Sequence, residues 1–175
     1  RRGRWLEQSV MGSLIELSAK VGRVLVAQHF KLATVESCTG GWIGQSLTAV
    51  AGSSAWYERG FVTYSNASKN ELVGVPRELI SRSGAVSEPV VRAMARGALS
   101  HSPADLALAV TGIAGPDGGS ADKPVGTVWL GWIARTGMER TEQYLFKGDR
   151  EAVRRQSVIE ALSGLIRFLE EDSSQ

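Results

Sequence analysis

Residues Leu32–Gly44 read LATVESCTGGWIG, and this stretch decides the fold. Leu32 to Val35 are apolar or β-branched, a short run of the kind buried inside a sheet. The run stops at Glu36, Ser37, Cys38 and Thr39, followed by Gly40 and Gly41. Apolar residues then resume at helical steps, with Trp42, Ile43, Leu47 and Val50, and the spacing predicts a helix ending near Gly52. A buried strand that feeds a helix through small residues is one unit of an α/β domain. Such a turn exposes backbone N–H groups at a helix start, where a phosphate or a developing oxyanion is favoured. Two glycines let a ligand approach the backbone closely. An ordinary capped helix start, with Ser37 or Thr39 as the cap, explains the same spacing.

The pattern continues on both sides. Upstream, Leu6, Val10, Leu14, Leu17, Val21, Val24 and Leu25 form an amphipathic helical stripe, with residues 1–8 expected as an irregular or frayed start. Downstream, GFVTYS (Gly60–Ser65) reads as a second strand and ASKNELVG as a short helix stopping at Gly74. Pro76 suits the first turn of another short helix. SEPVVRAMARGALSHS is a helix with Ser87 as N-cap and Glu88 and Pro89 in its first turn. Ala104–Gly112 is a third apolar strand, ending at the glycine-rich loop TGIAGPDGGSADKP. VGTVWLGWIA and RTEQYLFKG pair across a turn near Gly137, and residues 149–171 form a last helix that Asp149 caps. Helices and strands alternate throughout. The expected fold is α/β: a single layered domain over 1–175, its mixed sheet flanked by helices, parallel early and antiparallel late.

The chain of 175 residues is 43% hydrophobic and 22% charged, with a formal net charge of +2. Those values describe an ordinary globular protein and do not by themselves point to nucleic acid. Fifteen of the 20 basic residues are arginine, and Arg150, Arg154 and Arg155 cluster late, where a solvated helix face is the simple reading. One cysteine makes no internal disulfide, which fits a reducing cytoplasm. No apolar run is long enough to span a bilayer.

Three loops follow apparent strands and carry chemistry: ESCTGG, YSNASK and TGIAGPDGGS. If those strands are parallel, the loops meet at one sheet edge, where open α/β sheets bind ligands. A hydroxyl nucleophile needs a base. The two histidines, His29 and His101, lie outside all three loops, which disfavours a serine–histidine–acid triad. No cluster has metal-ligand spacing, so no metal is expected. Lysine is the remaining base, and Lys69 and Lys123 lie in or beside these loops. Lys69 follows TYSNAS at a helix start, where desolvation disfavours its charged form; a surface lysine is the alternative for both. Tyr64 reads as a proton relay, a stacking platform or a core tyrosine, and Thr111 as a donor to substrate or a turn residue. Cys38 reads as a reactive thiolate or a packed thiol.

The segments TVESCTGGWIGQSLTAVAGSSAWYERGFVTYSNASKNELVGV, GAVSEPV, ALAVTGIAGPDGG, KPVGTVW and GDREAVRRQ together resemble the CinA C-terminal domain family, over roughly residues 14–169. The resemblance implies hydrolysis of the carboxamide of nicotinamide mononucleotide, giving nicotinic acid mononucleotide and ammonia, within pyridine nucleotide recycling. It implies a serine–lysine mechanism with no cofactor. The matching positions are Ser37 and Lys69, with Ser54, Tyr64, Thr111 and Arg150 beside them. Ser37 is the first nucleophile and Ser54 its rival; Thr39, Gly40, Thr111, Gly112 and Arg150 are the expected substrate contacts. The expected partner is the small-molecule substrate, in a homo-oligomer, a dimer first, with neither membrane nor nucleic acid. Full-length CinA proteins carry a further N-terminal module, so the chain is expected to be a stand-alone deamidase or an excised domain. The competing readings are a cysteine amidase using Cys38 and a non-catalytic nucleotide-binding or regulatory module.

Overall fold

Five strands form one sheet in the order β2-β1-β3-β4-β5. In this computed structural model the backbone is described for residues 2–172 and 174, and the side chains for 13–171 and 174. The strands are β1 (Leu32–Glu36), β2 (Tyr57–Val62), β3 (Leu106–Gly112), β4 (Thr127–Ala134) and β5 (Glu139–Leu145). The helices are α1 (Arg2–Ala27), α2 (Trp42–Thr48), α3 (Asn66–Val73), α4 (Arg77–Ser83), α5 (Glu88–Ser100) and α6 (Arg150–Asp172). β1 pairs in parallel with both β2 and β3, while β4 and β5 add antiparallel strands. The expected mixed sheet is therefore observed.

Alternation along the strands builds two unequal cores. Leu32, Leu106, Leu108, Val110, Leu130 and Trp132 face α1, α2 and α6. Ala33, Val35, Ala107, Ala109 and Ile133 face the side covered by α3, α4 and α5. The small alanines on that second face, with Gly131 against Val91, let α5 lie close to the sheet. The connection from β1 to β2 runs through α2 on one face, and that from β2 to β3 through α3, α4 and α5 on the other. The chain thus leaves β1 toward β2 and leaves β3 in the opposite direction toward β4, and the carboxyl ends of β1 and β3 flank the switch point where such sheets bind ligands.

Helix α1 begins at Arg2. One expectation is corrected. The second strand is Tyr57–Val62 rather than Gly60–Ser65. Its partners begin at Leu32↔Tyr57, and beyond Val62 the chain peels away after one further bond, from Thr63 N–H to the Glu36 carbonyl. Ser87 caps α5 by accepting from the Val90 N–H, and Asp149 caps α6 by accepting from the Ala152 N–H. Among the described residues no helix is long and apolar enough to cross a membrane.

Candidate active site

Ser37 is the first residue beyond β1, and its N–H bonds the Val110 carbonyl of β3, so the side chain stands at the switch point. Lys69 lies in α3, whose N-cap is Ser65. Side chains of a helix lean toward its N-terminus, which carries the Lys69 ammonium back over the residues preceding α3. Lys69 Nζ meets Ser37 Oγ at 3.0 Å, the Thr63 carbonyl at 2.8 Å and the Tyr64 carbonyl at 3.3 Å. Its side chain is 1% exposed, and no carboxylate is among its hydrogen-bond partners. Burial disfavours the ammonium and brings the Lys69 pKa down to about 8.

Three oxygens surround Lys69 Nζ, and they accommodate a neutral amine that faces Ser37 with its lone pair. A neutral amine has two N–H groups and one lone pair. With the N–H groups donated to the Thr63 and Tyr64 carbonyls, the lone pair is left toward the Ser37 hydroxyl. That is the arrangement a general base needs.

Cys38, next to Ser37, is 6% exposed, and burial pushes its thiol up to about 12. It is a protonated packing residue at neutral pH. Thr39 is fully buried, and its hydroxyl donates to Glu36 Oε1 at 2.6 Å. The other Glu36 bonds come from the Ile43 N–H (2.8 Å) and the Gly44 N–H (3.1 Å). Glu36 thereby fills the start of α2, where an external anion was expected.

A cleft of ≈ 320 Å³ opens above this pair and is lined by Ser37, Lys69, Tyr64, Thr111, Gly112 and Arg150 among others. Thr111 donates its hydroxyl to the Ala85 carbonyl at 2.9 Å. A Cβ on Gly112 would lie 2.7 Å from Val128 Cγ2 and 3.1 Å from Cys38 Sγ, so the close approach requires glycine. Tyr64 is 61% exposed at the cleft, and Arg150 bonds both the Tyr64 hydroxyl (3.1 Å) and the Gly115 carbonyl (2.7 Å).

Three expected site residues fall outside the cleft lining. Thr39 turns inward to Glu36, and Gly40 is exposed with a left-handed φ of 60°. Ser54 is exposed in a single 3-10 turn, Ser53–Ala55, ahead of β2. The Trp56 carbonyl accepts from Leu32 N–H at the amino end of β1, whereas Ser37 leaves the carboxyl end. At ~3.3 Å per residue the two serines are on the order of 15 Å apart. Within one chain, Ser54 therefore does not reach Lys69.

Sequence reasoning missed Glu36, Asn66 and Arg154, and read Asp117 as a cation ligand or a turn residue. Asn66 and Asp117 line the cleft. Glu36 was legible only as the acid ending an apolar run, and Arg154 only as part of an arginine cluster read as a solvated helix face. That reading fits Arg155, which pairs with Glu151 at 2.7 Å. It fails for Arg154, which donates to the Cys38 carbonyl (3.1 Å) and the Thr39 carbonyl (3.3 Å).

The CinA C-terminal domain family model matches residues 14–169. The chain belongs to the CinA C-terminal domain family. It is 53% identical over 152 residues to the nicotinamide-nucleotide amidohydrolase PncC of Escherichia coli (strain K12), covering 87% of this chain and 92% of that protein. It is likewise 53% identical over 160 residues to PncC of Pseudomonas putida, covering 90% and 98%. Among solved structures, the competence/damage inducible protein CihA from Agrobacterium tumefaciens superposes with a TM-score of 0.86 at 44% identity, covering 89% of this chain and 94% of that one. The family assignment agrees with the fold and with the motifs that carried the resemblance.

Proposed function

We propose that this CinA-family chain is a nicotinamide-nucleotide amidohydrolase that converts nicotinamide mononucleotide and water to nicotinic acid mononucleotide and ammonia. The substrate rests on the PncC relatives, which the chain matches over nearly their whole length. The single observation that carries the chemistry is the 3.0 Å contact between buried Lys69 Nζ and Ser37 Oγ.

In this reading Lys69 takes the Ser37 proton as Oγ bonds the carboxamide carbon. The tetrahedral intermediate then expels the nitrogen, to which Lys69 returns the proton, and ammonia leaves. Water attacks the resulting ester, gives its proton to Lys69, and the Ser37 hydroxyl is regenerated. Since Glu36 occupies the Ile43 and Gly44 N–H groups, the oxyanion donor is assigned to the turn after Ser37, to the N–H of Cys38, which lines the cleft. Arg150 offers its guanidinium to the nucleotide phosphate, and Tyr64 and Thr111 hold the substrate at the cleft. The product returns to pyridine nucleotide synthesis.

Ammonia release from nicotinamide mononucleotide, with free nicotinamide and the full dinucleotide as controls, tests this directly. Release from the mononucleotide is expected. Activity on free nicotinamide alone overturns the nucleotide assignment. Binding of the mononucleotide without ammonia establishes the non-catalytic reading instead.

A further inference from the structure

We propose that Arg154 is a positioning residue for the nucleophile: it fixes the turn that carries Ser37 by holding the turn's carbonyl side from α6. This rests on Ser37 being the nucleophile, and it concerns a residue with no place in the chemical steps above.

The turn has reason to need such a brace. Residues 37–41 link β1 to α2 through Gly40 and Gly41, both left-handed, at φ 60° and 106°. Consecutive glycines give a backbone many accessible states. The turn's own bonds are from Gly40 N–H to the Ser37 carbonyl and from Trp42 N–H to the Thr39 carbonyl. Ser37 at its start is also held by its N–H bond to the Val110 carbonyl of β3 and by Lys69. Glu36 takes the Thr39 hydroxyl and the first N–H groups of α2, which anchors the N–H side.

Arg154 anchors the opposite side. Its Nε and Nη2 donate to the successive Cys38 and Thr39 carbonyls, and its guanidinium lies 5.5 Å from the centre of the Trp42 ring. One planar fork therefore grips both ends of the turn, the two residues after Ser37 and the first residue of α2. Among the described residues, Arg154 forms no ion pair, so its donors are committed to this turn. Arg150, one helical turn earlier in α6, holds Tyr64 and Gly115 on the other two loops. Helix α6 thus ties together all three loops at the switch point, and Arg154 is the tie to the nucleophile.

A serine-directed sulfonyl fluoride tests the inference independently of the amide substrate. Its rate of attachment to Ser37, followed by mass spectrometry, is compared in the parent, Arg154→Met and Arg154→Lys. Arg154→Met keeps a long stem against Trp42 but loses both hydrogen bonds. A nucleophile misplaced by about an ångström loses on the order of 10²-fold in rate, so labelling and kcat should both fall by about that factor, with KM for the mononucleotide nearly unchanged. Arg154→Lys should fall between. Added methylguanidinium should restore part of the Arg154→Met rate, and the pH at half-maximal labelling should stay at the parent's value, because Arg154 does not touch Lys69. Parental labelling by Arg154→Met overturns the inference. So does a loss of rate that tracks a lowered unfolding midpoint and shows no rescue, or one that comes with a moved pH midpoint. A parent that releases ammonia while Ser37 takes no label overturns the inference together with the Ser37 assignment; a parent that labels at Ser37 but releases no ammonia overturns only the proposed substrate.

Discussion

Lys69 is held where an ammonium is penalised, and in the proposed mechanism that penalty sets the pH at which Ser37 can be deprotonated. With a pKa of about 8, roughly a tenth of the lysine is neutral at pH 7. The base is the neutral form, so kcat/KM should rise about tenfold per pH unit up to about pH 8 and level off above it. A profile flat from pH 6 to 9 would remove Lys69 as the base. Replacing Lys69 by arginine keeps the charge but supplies a group that does not deprotonate, so Lys69→Arg should lose kcat by about 10³-fold or more, as should Ser37→Ala. Cys38→Ala should stay within a few-fold of the parent, since the thiol is buried and protonated. Insensitivity of the parent to iodoacetamide is the companion check; inactivation that Cys38→Ala abolishes would restore the cysteine reading.

At the scale of elements, the site depends on how closely α3 is pressed against its neighbour. A Cβ on Gly97 of α5 would sit 1.9 Å from the Val73 carbonyl at the end of α3, so Gly97→Ala forces the two helices apart. Overpacking of this kind costs about 1–3 kcal/mol. Because α3 carries Lys69, the same shift should open the lysine to water and move the midpoint of the pH–rate profile upward, which a titration of kcat/KM reads. An unchanged midpoint in a folded Gly97→Ala protein would show that α3 tolerates the displacement. The elements most legible in the sequence were those with strong local signals. The run Leu32–Glu36 was bounded by its apolar stop, and α5 by Ser87 and its proline. The strand β2 was less legible because it is an edge strand: Glu58 and Arg59 pair with each other toward solvent and weaken its apolar pattern. Setting aside both histidines left Lys69 and Lys123 as candidate bases beside a surface-lysine reading, and it was the family resemblance that pointed to Lys69. The displacement of Ser54 was not legible, because only strand order and direction show that it precedes β2 on the far edge. The roles of Glu36 and Arg154 depend on contacts across the turn and across 115 residues or more of chain, and no local pattern encodes those.

For the whole molecule, the buried charged side chains among the described residues are Glu36 and Lys69, on either side of Ser37 in the fold. Glu36 is satisfied by three donors, while Lys69 has carbonyls and a hydroxyl but no opposing charge. The buried Lys69, the proposed base, is therefore kept at the expense of stability, and the size of that penalty follows from its titration. The folded pKa of about 8 lies below the ordinary value of 10.5. Between those values the unfolded chain binds more protons than the folded one, so Lys69's contribution to stability grows as pH rises from 8 to 10.5 and is lost as pH falls back through 8. The full span corresponds to about 3 kcal/mol. Lys69→Met removes the titrating group while leaving the Thr63 and Tyr64 carbonyls without its hydrogen bonds, a fixed loss that does not vary with pH. Denaturant unfolding of the parent and Lys69→Met at pH 7, 8.5 and 10 should then show the parent gaining on the variant steadily across the series, by a total approaching 2–3 kcal/mol. A stability difference that stays constant across those pH values would mean that Lys69 titrates alike in both states, and that burial is not what makes it a base.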